Sequence, residues 1–133
     1  MTLTRVPSSL SPELENLVEA AIGCCLSVHR ELGPGLNERV YSRACRIELE
    51  TRGLSYDAER PVPIRYRGNL ICTQRIDLLI EGQVIVEVKS VESIHPVHVA
   101  QAVSYLRATG LRVALVINFN VAVLKQGIRR VVL

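Results

Sequence analysis

"IDLLIEGQVIVEVKS", Ile76 to Ser90, reads as two apolar strands joined by a tight turn, yet it carries Asp77, Glu87 and Lys89. In a strand, side chains alternate between faces, so Glu87 and Lys89 point one way while Val86 and Val88 point the other. The face taken by Asp77 depends on the turn. A two-residue loop, Glu81-Gly82, pairs Asp77 with Val86 and turns it away from Glu87. A three-residue loop, Glu81-Gly82-Gln83, pairs Ile80 with Val84 and sets Asp77 directly across from Glu87. The two-residue turn is the commoner hairpin. We adopt the three-residue register because it gives the charges a purpose.

Two carboxylates facing each other in a ladder repel, and burying them unpaired costs several kcal/mol, so a cation belongs between them. Oxygen ligands with no His or Cys nearby favour Mg²⁺ or Mn²⁺ over zinc. Lys89, on the same face, can orient or deprotonate a water, which suits attack on a phosphodiester. The plainer alternative is an ion-pair network at the sheet edge, in which Asp77 or Glu87 meets Lys89 or Arg75. Spacing alone does not choose between them.

Outward from the hairpin, "YDAERPVPIRYRGNL" holds two prolines and an Arg-Gly-Asn turn, which predicts a short edge strand and then a second strand leading into a hairpin. Strands follow at Ile71 to Ile80 and Val84 to Val88. Pro96 opens a helix that runs to about Thr109 before Gly110, "RVALVIN" is a fully apolar strand, and "GIRRVVL" adds a last one. On the N-terminal side, Ser11 and Pro12 start a helix whose apolar face is Leu14, Leu17, Val18, Ala21, Ile22, Cys25 and Leu32, stopped by Gly33-Pro34-Gly35. Asn37 caps a second helix with Tyr41, Ala44, Cys45 and Leu49 inward and Gly53 at its end. The order α-α-β-β-β-β-α-β-β predicts an α/β sandwich, a mixed sheet with helices packed on it.

A length of 133 residues with 48% hydrophobic content fits one domain over residues 1–133, with residues 1–10 as a loose N-terminal segment. The polar start has no secretory pattern, and no run approaches the ~20 apolar residues of a membrane helix, so a cytoplasmic location away from membranes is expected. Cys24, Cys25, Cys45 and Cys72 form no C-x-x-C pair and the histidines lie far from them, which argues against zinc and for buried reduced thiols. Adjacent Cys24 and Cys25 point about 100° apart on a helix, which argues against an iron–sulfur cluster. A net charge of +3 does not by itself announce a nucleic-acid binder. Lys89 and Lys125 are the only lysines, and the arginines that make up the rest suit bidentate phosphate contacts.

Asp77 followed by Glu87-Val88-Lys89 on the next strand resembles the PD-(D/E)XK nuclease superfamily. "GLNERVY" matches the G-x-x-E-x-x-Y signature of GxxExxY proteins through Gly35, Glu38 and Tyr41, and "QAVSY" resembles a Q-x-x-x-Y exonuclease motif through Gln101 and Tyr105. The likeness runs from about Leu14 to the C-terminus. One departure is Ile76, where the superfamily name has proline. The resemblance implies a restriction-endonuclease-like mixed β-sheet flanked by helices. It further implies a metal held by Asp77, Glu87, the Val88 carbonyl and Glu38, with Lys89 activating the attacking water and Gln101 and Tyr105 bordering the site. Without it, Glu38 reads as a carboxylate on a helix dipole, and His98, Gln101 and Tyr105 as a solvated polar face.

The expected function is therefore a Mg²⁺-dependent nuclease acting on DNA. The alternative is a binding or assembly module that keeps the fold and turns over little or nothing. RNA or a structured nucleic acid is a narrower alternative substrate, and the Q-x-x-x-Y likeness tilts toward an exonuclease. Arg65, Arg67 and Arg107 are candidates for phosphate contacts. A homodimer or a partner protein is plausible by analogy, because cutting two strands needs two sites.

Overall fold

The computed structural model describes residues 8–133. Helix α1 (Pro12–Leu32) starts where the Ser11 side chain accepts the Leu14 N–H at 3.1 Å, with Pro12 pre-set for the first turn. It stops at Gly33, whose N–H reaches the His29 carbonyl. Helix α2 (Glu38–Thr51) is capped by Asn37, which accepts the Val40 N–H at 3.2 Å. Its end is a Schellman turn: Gly53 takes a φ of 71°, its N–H meets the Glu50 carbonyl at 3.1 Å, and the Leu54 N–H meets Leu49 at 2.9 Å.

Five strands make one sheet in sequence order: β1 (Tyr56–Tyr66), β2 (Asn69–Ile80), β3 (Val84–Lys89), β4 (Val113–Asn118) and β5 (Ile128–Val132). Only β3 and β4 run parallel, because helix α3 (Pro96–Thr109) carries the chain back between them; every other pairing is antiparallel. A short 3₁₀ turn, Leu124–Gly127, leads into β5. Helices α1 and α2 cover one face of the sheet, burying Leu14, Val18, Tyr41, Cys45 and Leu49 against Leu78, Val86, Val88 and Leu115. Helix α3 covers the other, packing Ala102, Tyr105 and Leu106 with Ile85, Ala114 and Val116. Among the described residues no helix is long and apolar enough to cross a membrane.

The two strands expected within Tyr56 to Tyr66 are one. Pro61 and Pro63 do not break it, because β1 is an edge strand and two positions two apart turn toward the same side of the strand. The missing N–H groups then face the open edge. Something else happens at Glu59, which has a φ of 52°. Ala58 and Leu78 pack with the α1/α2 layer, whereas Val62 and Ile76 pack with α3, although the β1–β2 pairing keeps one register through this point. Both strands exchange faces together beside Asp77.

The hairpin takes the three-residue loop, with Ile80 paired to Val84 and Leu78 to Val86. Glu81 and Gly82 adopt positive φ, 52° and 67°, and the Gln83 N–H closes on the Ile80 carbonyl at 2.9 Å. Glu81 also binds away from the hairpin. Its N–H donates to the Ser55 carbonyl at 2.9 Å and its carboxylate accepts the Ser55 N–H at 2.8 Å. This tie to the segment before β1 favours the less common loop.

Of the N-terminal segment expected to be loose, residues 1–7 lie outside the described residues. Leu10 is buried in the core, and Ser8 bonds both the Leu10 N–H and the Glu15 carboxylate. The cysteines are all free thiols; Cys24, Cys25 and Cys45 are buried as expected, but Cys72 is exposed, because it lies on the part of β2 that the helices leave open. A hydrogen bond with Cys45, reinforced by burial, raises the Cys25 thiol well above its ordinary range.

Candidate active site

Continuing the β2–β3 register one step beyond Leu78 and Val86 sets Asp77 across from Glu87. Here β2 leaves β3 to follow β1, and the main-chain ladder between the two stops. The Asp77 carboxylate fills the gap, accepting the Val88 N–H at 2.7 Å. Glu87 is 4% exposed, and its Oε1 is buried with no hydrogen-bond partner. Burial, then the charge of Asp77 and a hydrogen bond to it, push the Glu87 carboxyl up to about 9, with Lys89 pulling in the opposite direction. At neutral pH Glu87 therefore holds a proton, the smallest cation that relieves a buried carboxylate beside a half-buried one.

A cleft of about 720 Å³ opens beside this pair, between α2 and the sheet, and Glu38, Asp77 and Val88 all line it. Glu38 reaches it through a braced loop. Gly35 takes a φ of 101°, the Tyr41 hydroxyl donates to the Gly33 carbonyl at 2.5 Å and accepts the Leu36 N–H at 3.1 Å, and Ser90 donates to the Leu36 carbonyl at 2.5 Å. Tyr41 itself is fully buried and stacks on Phe119 at 4.6 Å. Gly35 and Tyr41 thus shape the turn from which Glu38 projects. Tyr41→Phe deletes two loop contacts while keeping the ring; we expect a loss of about 1–3 kcal/mol, read as a lower denaturant midpoint.

The same bond from Ser90 ties the loop to the strand that carries Lys89. Asn118, 1% exposed, holds the chain beyond Lys89: its side chain accepts the Val91 N–H at 3.0 Å and donates to the Val91 carbonyl at 2.9 Å. His98, in the first turn of α3, accepts the His95 N–H at 3.0 Å and feels charges from both Lys89 and Glu38. Burial and the charges of Lys89 and His95 lower its pKa, against the pull of Glu38.

On the α3 side of the sheet, the face toward which Glu87 and Lys89 alternate, Gln101 and Tyr105 line a second groove with Gln74, Ile64 and His98. Tyr105 does not sit on a solvated face. It is 3% exposed, donates its hydroxyl to Gln74 Oε1 at 2.9 Å, and is pushed up to about 12 by burial and by the charges of Glu87 and Asp77. Arg65 and Arg107 border an adjoining groove, while Arg67 sits in the β1–β2 turn over the Tyr66 ring, 5.8 Å from its centroid.

The fold brings Asp77, Glu87 and Val88 into contact and sets Glu38 across the cleft from them. Among the described residues, no three His, Cys, Asp or Glu side chains converge as an ion-binding group. The pair nevertheless fits a hard divalent cation, since a buried carboxylate oxygen without a partner faces a second carboxylate. Gln74 and Asn118 were not singled out from sequence; both are neutral amides whose importance lies in contacts 31 and 27 residues away. Arg39, Arg43 and Arg46, which wall the cleft, were also missed, although their helical spacing is visible.

A family model described as the PD-(D/E)XK nuclease superfamily matches residues 15–131. No curated protein matches the chain, and no solved structure does.

Proposed function

Because the chain belongs to the PD-(D/E)XK nuclease superfamily, we propose that it is a Mg²⁺-dependent nuclease that hydrolyses phosphodiester bonds in DNA. The observation that carries this reading is the partnerless, buried Glu87 Oε1 beside Asp77. Asp77 and Glu87, with the Val88 carbonyl, are the ligands we assign, and Glu38 adds an inner or outer one. Mg²⁺ or Mn²⁺ bound there would stabilise charge on the phosphoryl oxygens and lower the barrier to forming the nucleophile.

Lys89 shares the Glu87 face of β3, where its amine positions the attacking water and takes part in its activation. Tyr105 stays protonated across the neutral range, so it serves as a hydrogen-bond donor, fixed on Gln74 and bordering the site with Gln101. The finer likeness to GxxExxY proteins rests on Gly35, Glu38 and Tyr41. A second reading, a weakly active or inactive module that needs a partner, draws on one observation: among the described residues no three His, Cys, Asp or Glu side chains gather as an ion-binding group, although Glu38 and Glu59 line the same cleft as Asp77.

The test is cleavage of linear and circular DNA, single- and double-stranded, with Mg²⁺ or Mn²⁺, comparing wild type with Glu87→Ala purified identically. Cleavage confined to wild type is the expected result, and the circular substrates distinguish endonuclease from exonuclease. Equal cleavage by both proteins would remove the assignment. In parallel, Mg²⁺ should raise the melting temperature of wild type, and Asp77→Ala or Glu87→Ala should abolish that shift. An undiminished shift would mean that the ions bind elsewhere.

A further inference from the structure

We infer that Arg39, Arg43 and Arg46 on α2 form the track that holds the phosphate backbone of a nucleic-acid strand as it enters the carboxylate site. This rests on the nuclease reading and names the surface that such an activity would use. All three arginines line the same cleft as Asp77 and Val88. At i, i+4 and i+7 they share one side of the helix, while Tyr41, Cys45 and Leu49 bury the other in the core.

Helix stability does not explain them. Cations favour a helix C-terminus, where the macrodipole is negative, yet α2 has no basic residue in its last turn; Arg39 stands in its first turn and Arg43 and Arg46 in its middle, where the macrodipole gives them no advantage. Nor are they used for pairing. The ion pairs among the described residues join Arg52 to Glu48, Arg60 to Asp57 and Arg130 to Glu15, none of them in this row. Arg46 Nε is buried without a hydrogen-bond partner, an unmet donor in the wall of an open cleft. A donor left in that state costs free energy that an incoming anion would recover.

The dimensions also agree. From Arg39 to Arg46 the helix rises about 10 Å, which is the axial length of about three phosphates on one strand. Guanidinium groups grip phosphate oxygens in a bidentate way and carry no base information. The track therefore accounts for affinity and for the direction of entry, and it predicts no sequence preference. Of the three arginines expected from sequence to contact phosphate, Arg65 and Arg107 lie in the groove on the α3 side and offer the competing path.

The experiment measures binding of fluorescein-labelled single-stranded DNA, duplex DNA and RNA of one sequence by fluorescence anisotropy, in EDTA, across a range of NaCl concentrations. The full chain is compared with Arg39→Gln/Arg43→Gln and with Arg65→Gln/Arg107→Gln; Arg39 and Arg43 are exposed, so the first pair tests the track without disturbing Arg46. Losing two phosphate contacts should flatten log K against log salt by about 1.4 for single strands and about 1.8 for duplex. The substrate on which that loss is largest identifies the strand the track holds. An unchanged slope in the α2 variant overturns the inference, and a loss confined to the Arg65 and Arg107 pair moves the path to the other groove. Cleavage with Mg²⁺ is followed in the same proteins. Cleavage by wild type with unaltered binding by the α2 variant would overturn the track and leave the nuclease reading intact; wild type that neither binds nor cleaves would overturn both.

Discussion

Lys89→Ala will cut DNA roughly 100- to 1,000-fold more slowly than wild type while keeping its Mg²⁺-dependent rise in melting temperature. That is the lower part of the range, about 10²- to 10⁴-fold, usual for a positioned group that moves a proton in the transition state. The two readouts separate because Lys89 shares the face of Glu87 but is not among the oxygen ligands assigned to the ion. Its charge works against the rise in the Glu87 pKa, so removing it leaves the carboxylate pair still more ready to hold a proton. Metal stabilisation in the variant should therefore weaken somewhat at lower pH and recover as the pH rises. Single-turnover cleavage with enzyme in excess is the measurement, because it isolates chemistry from product release. A rate equal to wild type would strip Lys89 of its role.

In the absence of divalent ions, wild type should lose stability as pH rises from about 5 to about 9, and Glu87→Gln should lose much less. The sign follows from proton counts. A carboxyl held up to about 9 in the folded chain keeps its proton where the unfolded chain, with an ordinary glutamate, has released it. The folded state then binds more protons, and stability falls with pH across that window. Below the ordinary glutamate range both states are protonated and the difference vanishes. Each unit of separation is worth about 1.4 kcal/mol, so the effect should reach several kcal/mol, large beside the total stability of a small domain. Glutamine reproduces the neutral side chain without titrating. Urea melts of both proteins at pH 5, 7 and 9 read the difference directly. Parallel curves would mean that the pair is not strained in the way its burial implies.

Much of this was legible in sequence because it rests on local signals. Ser11-Pro12, Asn37 and Gly53 punctuate the first two helices, and Pro96 and Gly110 bound the third, by capping chemistry that depends on neighbours alone. The hairpin register was legible only through its charges, since the contact that supports the three-residue loop, Glu81 to Ser55, spans 26 residues. Prolines misled the strand count because the same residue breaks an inner strand and is harmless on an open edge. Period-two reading also assigns Ile76 and Leu78 to one face, and the exchange of faces at Glu59 and Asp77 defeats it. At the site, Asp77, Glu87 and Lys89 stood out as charges in apolar surroundings. Gln74 and Asn118 could not, because an amide in a strand carries no signal until its distant partner is known.

The clamp on the chain beyond Lys89 has an entropic meaning. The Phe119 N–H bonds the Lys89 carbonyl at 2.9 Å, and Asn118 fixes Val91 from both of its backbone groups, so this stretch is immobilised when the sheet forms. Backbone ordering costs about 1–2 kcal/mol per residue, and here that cost falls on folding instead of on the encounter with a ligand. What remains free at Lys89 is the rotation of one aliphatic stem, worth at most about 2 kcal/mol. An amine mounted in this way loses little freedom when it meets a partner, and a favourable contact with it is weakened correspondingly little.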